Sequence, residues 1–149
     1  MHQQVSELTF RTPGEGFTNI TAPINAEIIK SSIQNGLATV HVKHTSCSLT
    51  INENADPRVL KDLAAYLRAL VPEEGVRPIS GIGPLRPYLH DDEGADDMPA
   101  HIRTALTTAT LSVCIERGRL ALGTWQALYL WEHRAESQCR KIGLHLIGE

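Results

Sequence analysis

Alternation of hydrophobic and polar residues predicts seven β-strands along the chain. Successive side chains of a strand point to opposite faces, so an apolar residue at every second position marks a strand with one buried face. In residues 37–44 this pattern puts Val40 and Val42 on the buried face. His44 falls on the same face, whereas His41 is predicted to face solvent. The predicted strands are residues 5–12, 17–21, 37–44, 48–52, 110–116, 119–133 and 139–148.

Hydrophobic residues spaced three or four apart predict three helices, at residues 23–36, 55–72 and 99–107. The second helix has the clearest start, because Asp56 can cap its first turn and Pro57 suits the first helical position. Leucines recur along one side of this helix and are predicted to form its buried stripe. They are Leu60, Leu63, Leu67 and Leu70.

The order of these elements predicts the fold class. Helices are interleaved with strands but do not alternate with them strictly, as they would in a parallel α/β fold. We therefore expect an α+β domain, a seven-strand and largely antiparallel β-sandwich with about three flanking helices. The length of 149 residues fits a single domain, residues 1–149, and 42% hydrophobic residues allow a core that needs no disulfide bond.

Charge and cysteine content narrow the partners and the compartment. A net charge of −3 argues against nucleic acid or an anionic membrane as the main partner. No apolar run is long enough to span a bilayer, and the N-terminal stretch lacks the apolar core of a signal peptide. The three cysteines are odd in number and widely spaced, so we expect a reducing, cytoplasmic location.

Polar residues are concentrated where two predicted strands meet, in residues 41–57, HVKHTSCSLTINENADP. A strand carries many polar side chains only when they have partners or a function. Asp56 has a sufficient structural role as a helix cap. Asn52 and Glu53 have no structural role that the pattern reveals, so we expect them to contact a substrate or ligand.

Three histidines are candidate metal ligands. His44 ends a strand, His90 lies in an acidic loop, and His101 lies in the first turn of the third helix. Neutral imidazole is the commonest protein ligand for zinc and similar ions. The carboxylates of residues 91–97 would orient the rings or bind a hard cation directly. No HxH or HExxH spacing is present, so hydrogen-bonded core histidines and a solvated acidic loop stand as structural alternatives.

Four stretches of the chain resemble the YjbQ family, whose members are described as secondary thiamine-phosphate synthases. They are HTSCSLTINENADP, HDDEGADDMPAHI, GRLALGTWQALYLWEHR and the closing LIGE, in the family's order and spacing. The resemblance covers nearly the whole chain. It implies a seven-strand β-sandwich that assembles as a homotrimer, with a metal site built on His44, His90 and His101.

Cys47 suggests a rival chemistry, in which a cysteine nucleophile works with His44 as its base. Positions 44 and 47 point to opposite faces of a continuous strand, which favours a small buried cysteine instead. The family often shows alanine at the position of Cys47, and this departure argues further against a nucleophile.

The resemblance also implies a reaction. Thiamine-phosphate synthase activity joins a pyrimidine methyl diphosphate to a thiazole phosphate and releases pyrophosphate, and the family label allows this to be a side activity. The substrate would be a small phosphorylated heterocycle. A divalent ion, zinc in preference to magnesium or manganese, would neutralise the diphosphate. Arg140 or Lys141 would meet phosphate, Glu53 or Asp91 would act as base, and Asn52 would contact the ligand.

Two other interpretations stay open at this point. The same pocket would serve a non-catalytic module that binds a metal or a phosphorylated metabolite without turnover. Alternatively, the polar corner would only secure subunit contacts in a structural trimer. The three imidazoles lie far apart along the chain, so only a tertiary structure decides whether they converge.

Overall fold

The computed structural model describes residues 1–149, which form three α-helices and eight β-strands. The helices are α1 (Thr21–Ser31), α2 (Pro57–Leu70) and α3 (Asp97–Leu106). The strands are β1 (His2–Arg11), β2 (Gly16–Asn19), β3 (Asn35–Val42), β4 (Cys47–Glu53), β5 (Thr110–Glu116), β6 (Arg119–Leu120), β7 (Gln126–Glu132) and β8 (Cys139–Gly148). The α+β class and the three helices are confirmed. None of the helices is both long and apolar enough to cross a membrane.

The prediction of one strand over residues 119–133 is wrong, and the strand count is eight instead of seven. The chain leaves β6 and turns before it enters β7. In this turn the Gln126 side-chain oxygen accepts the N–H of Gly123 at 2.8 Å, and the Gln126 N–H donates to the Gly123 carbonyl at 2.9 Å. The turn redirects the chain from one sheet to the other. The apolar residues before it lie in β6 and those after it lie in β7, which belong to different sheets.

The strands pair in antiparallel fashion and form two sheets. One sheet has the order β1-β8-β3-β5-β6, and the other has the order β2-β7-β4. In the larger sheet, Ile142 of β8 lies opposite Leu8 on β1 and Val42 on β3. In the smaller sheet, β7 pairs with β2 on one side and β4 on the other.

Aliphatic side chains from both sheets and from α1 form one continuous core. Along β3, Val40 and Val42 are buried and His41 is exposed, as the alternation predicts. Ile24 and Ile28 of α1 are completely buried in the same core. The helix therefore belongs to the packing of the two sheets and is not an appendage.

The start of α2 agrees with the sequence, but the burial of its leucines does not. Asp56 Oδ1 accepts the N–H of Arg58 at 2.9 Å, and Pro57 occupies the first helical position. Leu67 is buried, whereas Leu70 is 56% exposed. The predicted stripe fails at Leu70 because the C-terminal end of α2 borders an open cavity of about 380 Å³ instead of a sheet.

A long irregular connection, residues 71–96, joins α2 to α3. Its two arms meet in a bridge between Val76 and Arg86. The hydroxyl of Tyr88 then donates to the carbonyl of Pro72 at 2.9 Å, which fixes the returning arm to the end of α2. The connection thereby brings His90 back toward the start of α3.

Replacement of Ile142 by alanine should destabilise the fold, because this side chain is fully buried between β1 and β3. We expect the free energy of unfolding to fall by about 2–5 kcal/mol, measured by urea denaturation. Ile79→Ala is the matched control, since Ile79 is fully exposed and its truncation should change stability by less than about 0.5 kcal/mol. Equal effects of the two substitutions would contradict this assignment of the core.

Candidate metal centre

Three potential metal-binding side chains converge at the start of α3. The ligand atoms of His90, Asp97 and His101 all lie within 4.8 Å of one another. Asp97 and His101 are one helical turn apart, so they share a face of α3. His90 approaches from the connection that precedes the helix, where Gly94 adopts a positive φ of 107° in the intervening turn.

Both imidazoles point at the same carboxylate oxygen. The Nε2 atom of His90 lies 2.8 Å from Asp97 Oδ2, and the Nε2 atom of His101 lies 3.3 Å from it. Asp97 is almost fully buried, whereas the side chains of His90 and His101 are 44% and 32% exposed. The cluster is therefore closed on its carboxylate side and accessible on its imidazole side.

A main-chain contact determines which nitrogen of His101 carries the proton. The Nδ1 atom of His101 lies 3.0 Å from the carbonyl oxygen of Thr45 in the corner between β3 and β4. A carbonyl can only accept a hydrogen bond, so Nδ1 is the donor. In a neutral imidazole, Nε2 then carries a lone pair, and this lone pair faces Asp97 Oδ2. Two acceptors at that distance are stabilised by a proton or a cation between them.

Arg134, directly after β7, holds the carboxylate from the other side. Its Nη1 donates to Asp97 Oδ1 at 2.5 Å, and its Nε donates to Asp96 Oδ2 at 2.9 Å. Its Nη2 donates to the carbonyl of Glu93 at 2.9 Å. One guanidinium therefore fixes the whole turn that leads into α3.

His44 lies outside this group, so the three-histidine set is not formed within the chain. Its Nε2 accepts the main-chain N–H of Lys141 at 2.8 Å, which uses the lone pair that a metal would need. Partial burial, together with the positive charge of Arg140, lowers the pKa of His44 and favours its neutral form. The third member of the group is instead Asp97, one of the carboxylates of residues 91–97 that spacing alone did not single out.

Asn52 and Glu53 have structural roles that the sequence did not reveal. Glu53 Oε1 accepts the N–H of Ala55 at 2.7 Å, and Asn52 Oδ1 accepts the N–H of Glu53 at 2.8 Å. These bonds shape the turn from β4 into α2. The carboxylate of Glu53 does not belong to the histidine–aspartate group.

Asp91 lies beside the group but is not part of it. It lines a cavity of about 170 Å³ together with His90, Glu73 and Glu74. The side chain is exposed, and the shared wall with His90 places it next to the candidate centre.

The two predicted phosphate ligands have ion-pair partners inside the chain. Arg140 is only 4% exposed, and its Nε donates to Glu132 Oε2 at 2.7 Å. This buried pair gives Arg140 a structural role within the chain. Lys141 is exposed, and its Nζ lies 3.1 Å from Glu7 Oε1.

Three consecutive residues at the end of β7 have no role that the sequence pattern reveals. They are Glu132, His133 and Arg134. In the structure Glu132 and His133 are buried, and His133 Nε2 lies 2.9 Å from Ser48 Oγ. Burial, with a contribution from the charge of Arg103, lowers the pKa of His133 from 6.5 to about 4.

Cys47 is fully buried, as predicted. Burial raises the pKa of its thiol to about 12, so the reactive thiolate form is strongly disfavoured at neutral pH.

Two antiparallel sheets around one aliphatic core, with a histidine–aspartate cluster beside the β3–β4 corner, define a small α+β domain of the β-sandwich type. Comparison with known proteins agrees with this α+β fold class. The family model described as UPF0047 protein YjbQ-like matches residues 6–149. The chain belongs to this YjbQ-like family.

Individual relatives match along most of their length. The UPF0047 protein sll1880 of Synechocystis sp. is 47% identical over 148 residues, which cover 99% of this chain and 92% of that protein. The UPF0047 protein YjbQ of Escherichia coli O157:H7 is 37% identical over 143 residues, 95% of this chain and 96% of that one. The crystal structure of a YjbQ/UPF0047 family protein from Clostridium acetobutylicum has a TM-score of 0.79 at 32% identity and covers 95% of this chain and 99% of that chain.

The buried His133 should make stability depend on pH on the acidic side of neutrality. The folded protein disfavours the protonated ring, so the unfolded chain takes up the proton at higher pH. Stability should therefore fall as the pH drops from 6.5 to about 4, by up to about 1.4 kcal/mol per pH unit.

Urea denaturation of wild-type protein and His133→Gln across this range measures the effect. Glutamine can still hydrogen-bond to Ser48 but does not titrate, so the slope should flatten. His41→Gln, at an exposed position on β3, should keep the wild-type slope. An unchanged slope in His133→Gln would contradict the assignment.

Proposed function

We propose that this protein binds one divalent metal ion through His90, Asp97 and His101 and uses it to act on a small phosphorylated heterocycle. The observation that carries the proposal is the pair of acceptors formed by His101 Nε2 and Asp97 Oδ2, 3.3 Å apart. In a neutral His101 ring, the carbonyl of Thr45 holds the only proton on the opposite nitrogen. A cation held by both acceptors resolves this arrangement.

The donor set fits a transition-metal ion. Two imidazole nitrogens and one carboxylate are a donor set that zinc uses in catalytic sites, where three protein ligands leave a position open. Ligand histidines in such sites donate their other N–H to a carbonyl or carboxylate, as His101 does to Thr45. Zinc is therefore the preferred ion, with magnesium and manganese as alternatives. When bound, the ion would supply Lewis-acid stabilisation of negative oxygens.

The exposure and contacts of the other predicted site residues support roles for some of them. The exposed imidazole side leaves room for a ligand to approach, and Asp91, which lines the same cavity as His90, is the carboxylate proposed to accept a proton. Lys141 is the exposed cation proposed to meet phosphate. The ion pair of Lys141 with Glu7 lies on the surface, so its ammonium group stays accessible.

Arg140 is left out of the proposal because it is buried in its pair with Glu132. Asn52 and Glu53 are left out because their side chains accept main-chain N–H groups in the turn from β4 into α2.

The specific reaction proposed is the joining of a pyrimidine methyl diphosphate to a thiazole phosphate. The thiazole nitrogen forms a bond to the methylene carbon, the carbon–oxygen bond to the diphosphate breaks, and pyrophosphate leaves. The sequence resemblance to the YjbQ family supports this choice. Membership in a fold family does not by itself define a reaction, so the test has to be chemical.

A non-catalytic binding module is the second candidate, and one observation favours it. The cavity beside His90 is about 170 Å³. Pockets that enclose a drug-sized ligand are usually about 300–1,000 Å³. This space suits a small anion beside His90, whereas two heterocyclic substrates would extend beyond it.

The proposal includes a homotrimer and a cytoplasmic location. Exposed apolar side chains on the connection between α2 and α3 support self-association, because Ile79, Ile82 and Leu89 have no cover within the chain. Three free cysteines support a reducing compartment.

Metal binding is tested on untagged protein by titration with Zn²⁺ in competition with a chelator. We expect one ion per chain, and at least about tenfold weaker binding in His101→Ala and Asp97→Asn, since each loses a ligand atom. His41→Ala is the control, because this histidine is exposed on β3 outside the cluster. A wild-type protein that takes up neither Zn²⁺ nor Mn²⁺ would exclude the proposed function.

The reaction is tested with the metal-loaded protein, the pyrimidine diphosphate and the thiazole phosphate, with pyrophosphate release as the readout. Wild type and His41→Ala should release pyrophosphate and rescue a thiamine-requiring strain, and His101→Ala should do neither. Metal uptake without pyrophosphate release or rescue would reject the synthase and leave the binding module.

A further inference from the structure

Arg134 is the one charged side chain that contacts the inner face of the histidine–aspartate cluster. It lies directly after β7, and only 18% of its side chain is exposed. Its guanidinium contacts Asp97, Asp96 and the carbonyl of Glu93 at the same time. Such a set of contacts needs a planar group with several donors, which lysine cannot replace.

We propose that Arg134 is a positioning residue that makes the centre select zinc-like ions over hard ions such as Mg²⁺. The inference rests on the proposed metal centre and adds to it a reason for the choice of ion. It has two parts, the orientation of the Asp97 carboxylate and the charge that this carboxylate presents.

The orientation follows from the two oxygens of Asp97. Oδ1 accepts from Arg134 Nη1, and Oδ2 faces both His90 Nε2 and His101 Nε2. With Oδ1 occupied, the carboxylate offers a single oxygen to a cation. A hard ion such as Mg²⁺ or Ca²⁺ requires several oxygen ligands, and this centre supplies one from Asp97 and two nitrogens.

The charge follows from the same contact. A guanidinium beside Asp97 offsets the negative charge that would attract a hard cation. Imidazole nitrogens bind zinc-like ions largely through their lone pairs. The affinity for those ions therefore falls less when Arg134 offsets the charge of Asp97. The guanidinium of arginine is not deprotonated in proteins, so this offset is always present.

The backbone of Arg134 is itself held in place. Its N–H donates to Glu132 Oε1 at 3.0 Å, and Glu132 is completely buried. The side chain therefore projects from a fixed point onto the turn that contains Asp97. A residue that does not bind the metal can orient a metal ligand only if it is itself held rigidly.

The experiment compares the affinities for Zn²⁺ alone and for Mg²⁺ alone in wild type, Arg134→Gln and Arg134→Lys. In Arg134→Gln we expect Zn²⁺ affinity to fall about 10- to 100-fold, as is usual when a partner of a metal ligand is lost. Mg²⁺ affinity should fall less or rise, because the offsetting charge is gone. The Zn²⁺-to-Mg²⁺ ratio should therefore drop. Arg119→Gln, at an exposed position on β6, is the control and should keep the wild-type ratio.

A residue that only stabilised the turn would lower both affinities by the same factor, so an unchanged ratio in Arg134→Gln would overturn the inference.

If Arg134→Gln does not fold, as judged by its melting curve in chelator, Arg134→Lys decides the matter. Lysine keeps the charge but cannot hold both aspartates, so we expect weaker Zn²⁺ binding with a smaller change of ratio. A lysine variant with wild-type affinity for both ions would overturn the inference. Failure of wild type to bind either ion would instead reject the proposed metal centre itself.

Discussion

The ion pair between Glu132 and Arg140 is the interaction on which the rest of the structure depends. Glu132 ends β7 and Arg140 lies in β8, so the pair joins the smaller sheet to the larger one. Both side chains are buried, and two buried charges are tolerated only when each is paired and hydrogen-bonded. Thr12 Oγ1 donates to Glu132 at 2.8 Å, and Arg140 also donates to Ser46 Oγ at 3.0 Å. Burial alone would raise the pKa of Glu132, but these hydrogen bonds and the charge of Arg140 hold it below its usual value.

The geometry of the candidate centre follows from this pair. Glu132 fixes the main chain of Arg134, whose side chain orients the Asp97 carboxylate. Arg140 fixes Ser46, and the carbonyl of the preceding Thr45 sets the proton position on His101. The contact of Arg134 with Asp97 therefore depends on the buried Glu132 carboxylate. The contact of Thr45 with His101 depends on the buried Arg140 guanidinium. A side-chain cluster supported in this way is preorganised, because its members are already held in one arrangement.

Much of the local structure could be predicted from the sequence, because it depends on near neighbours. The cap and the proline at the start of α2 were predicted correctly, since both act within one helical turn. The two-residue turn between β5 and β6 also depends on near neighbours, since Arg117 and Gly118 both adopt the positive φ that such a turn requires. The alternation of β3 identified its buried face. Two of the three expected histidines, His90 and His101, do lie together.

By itself, the sequence determined the three helices and most of the strands, the buried face of β3, and that histidines and carboxylates are concentrated in few segments. Only the tertiary structure decided that β6 and β7 belong to different sheets and that Asp97 replaces His44 in the cluster. The physical reason is the range of the interactions. Propensity, capping and alternation act between residues a few positions apart. The hydrogen bond from the Lys141 N–H to His44 Nε2, in contrast, joins residues that are 97 positions apart in the chain. No local pattern contains that contact.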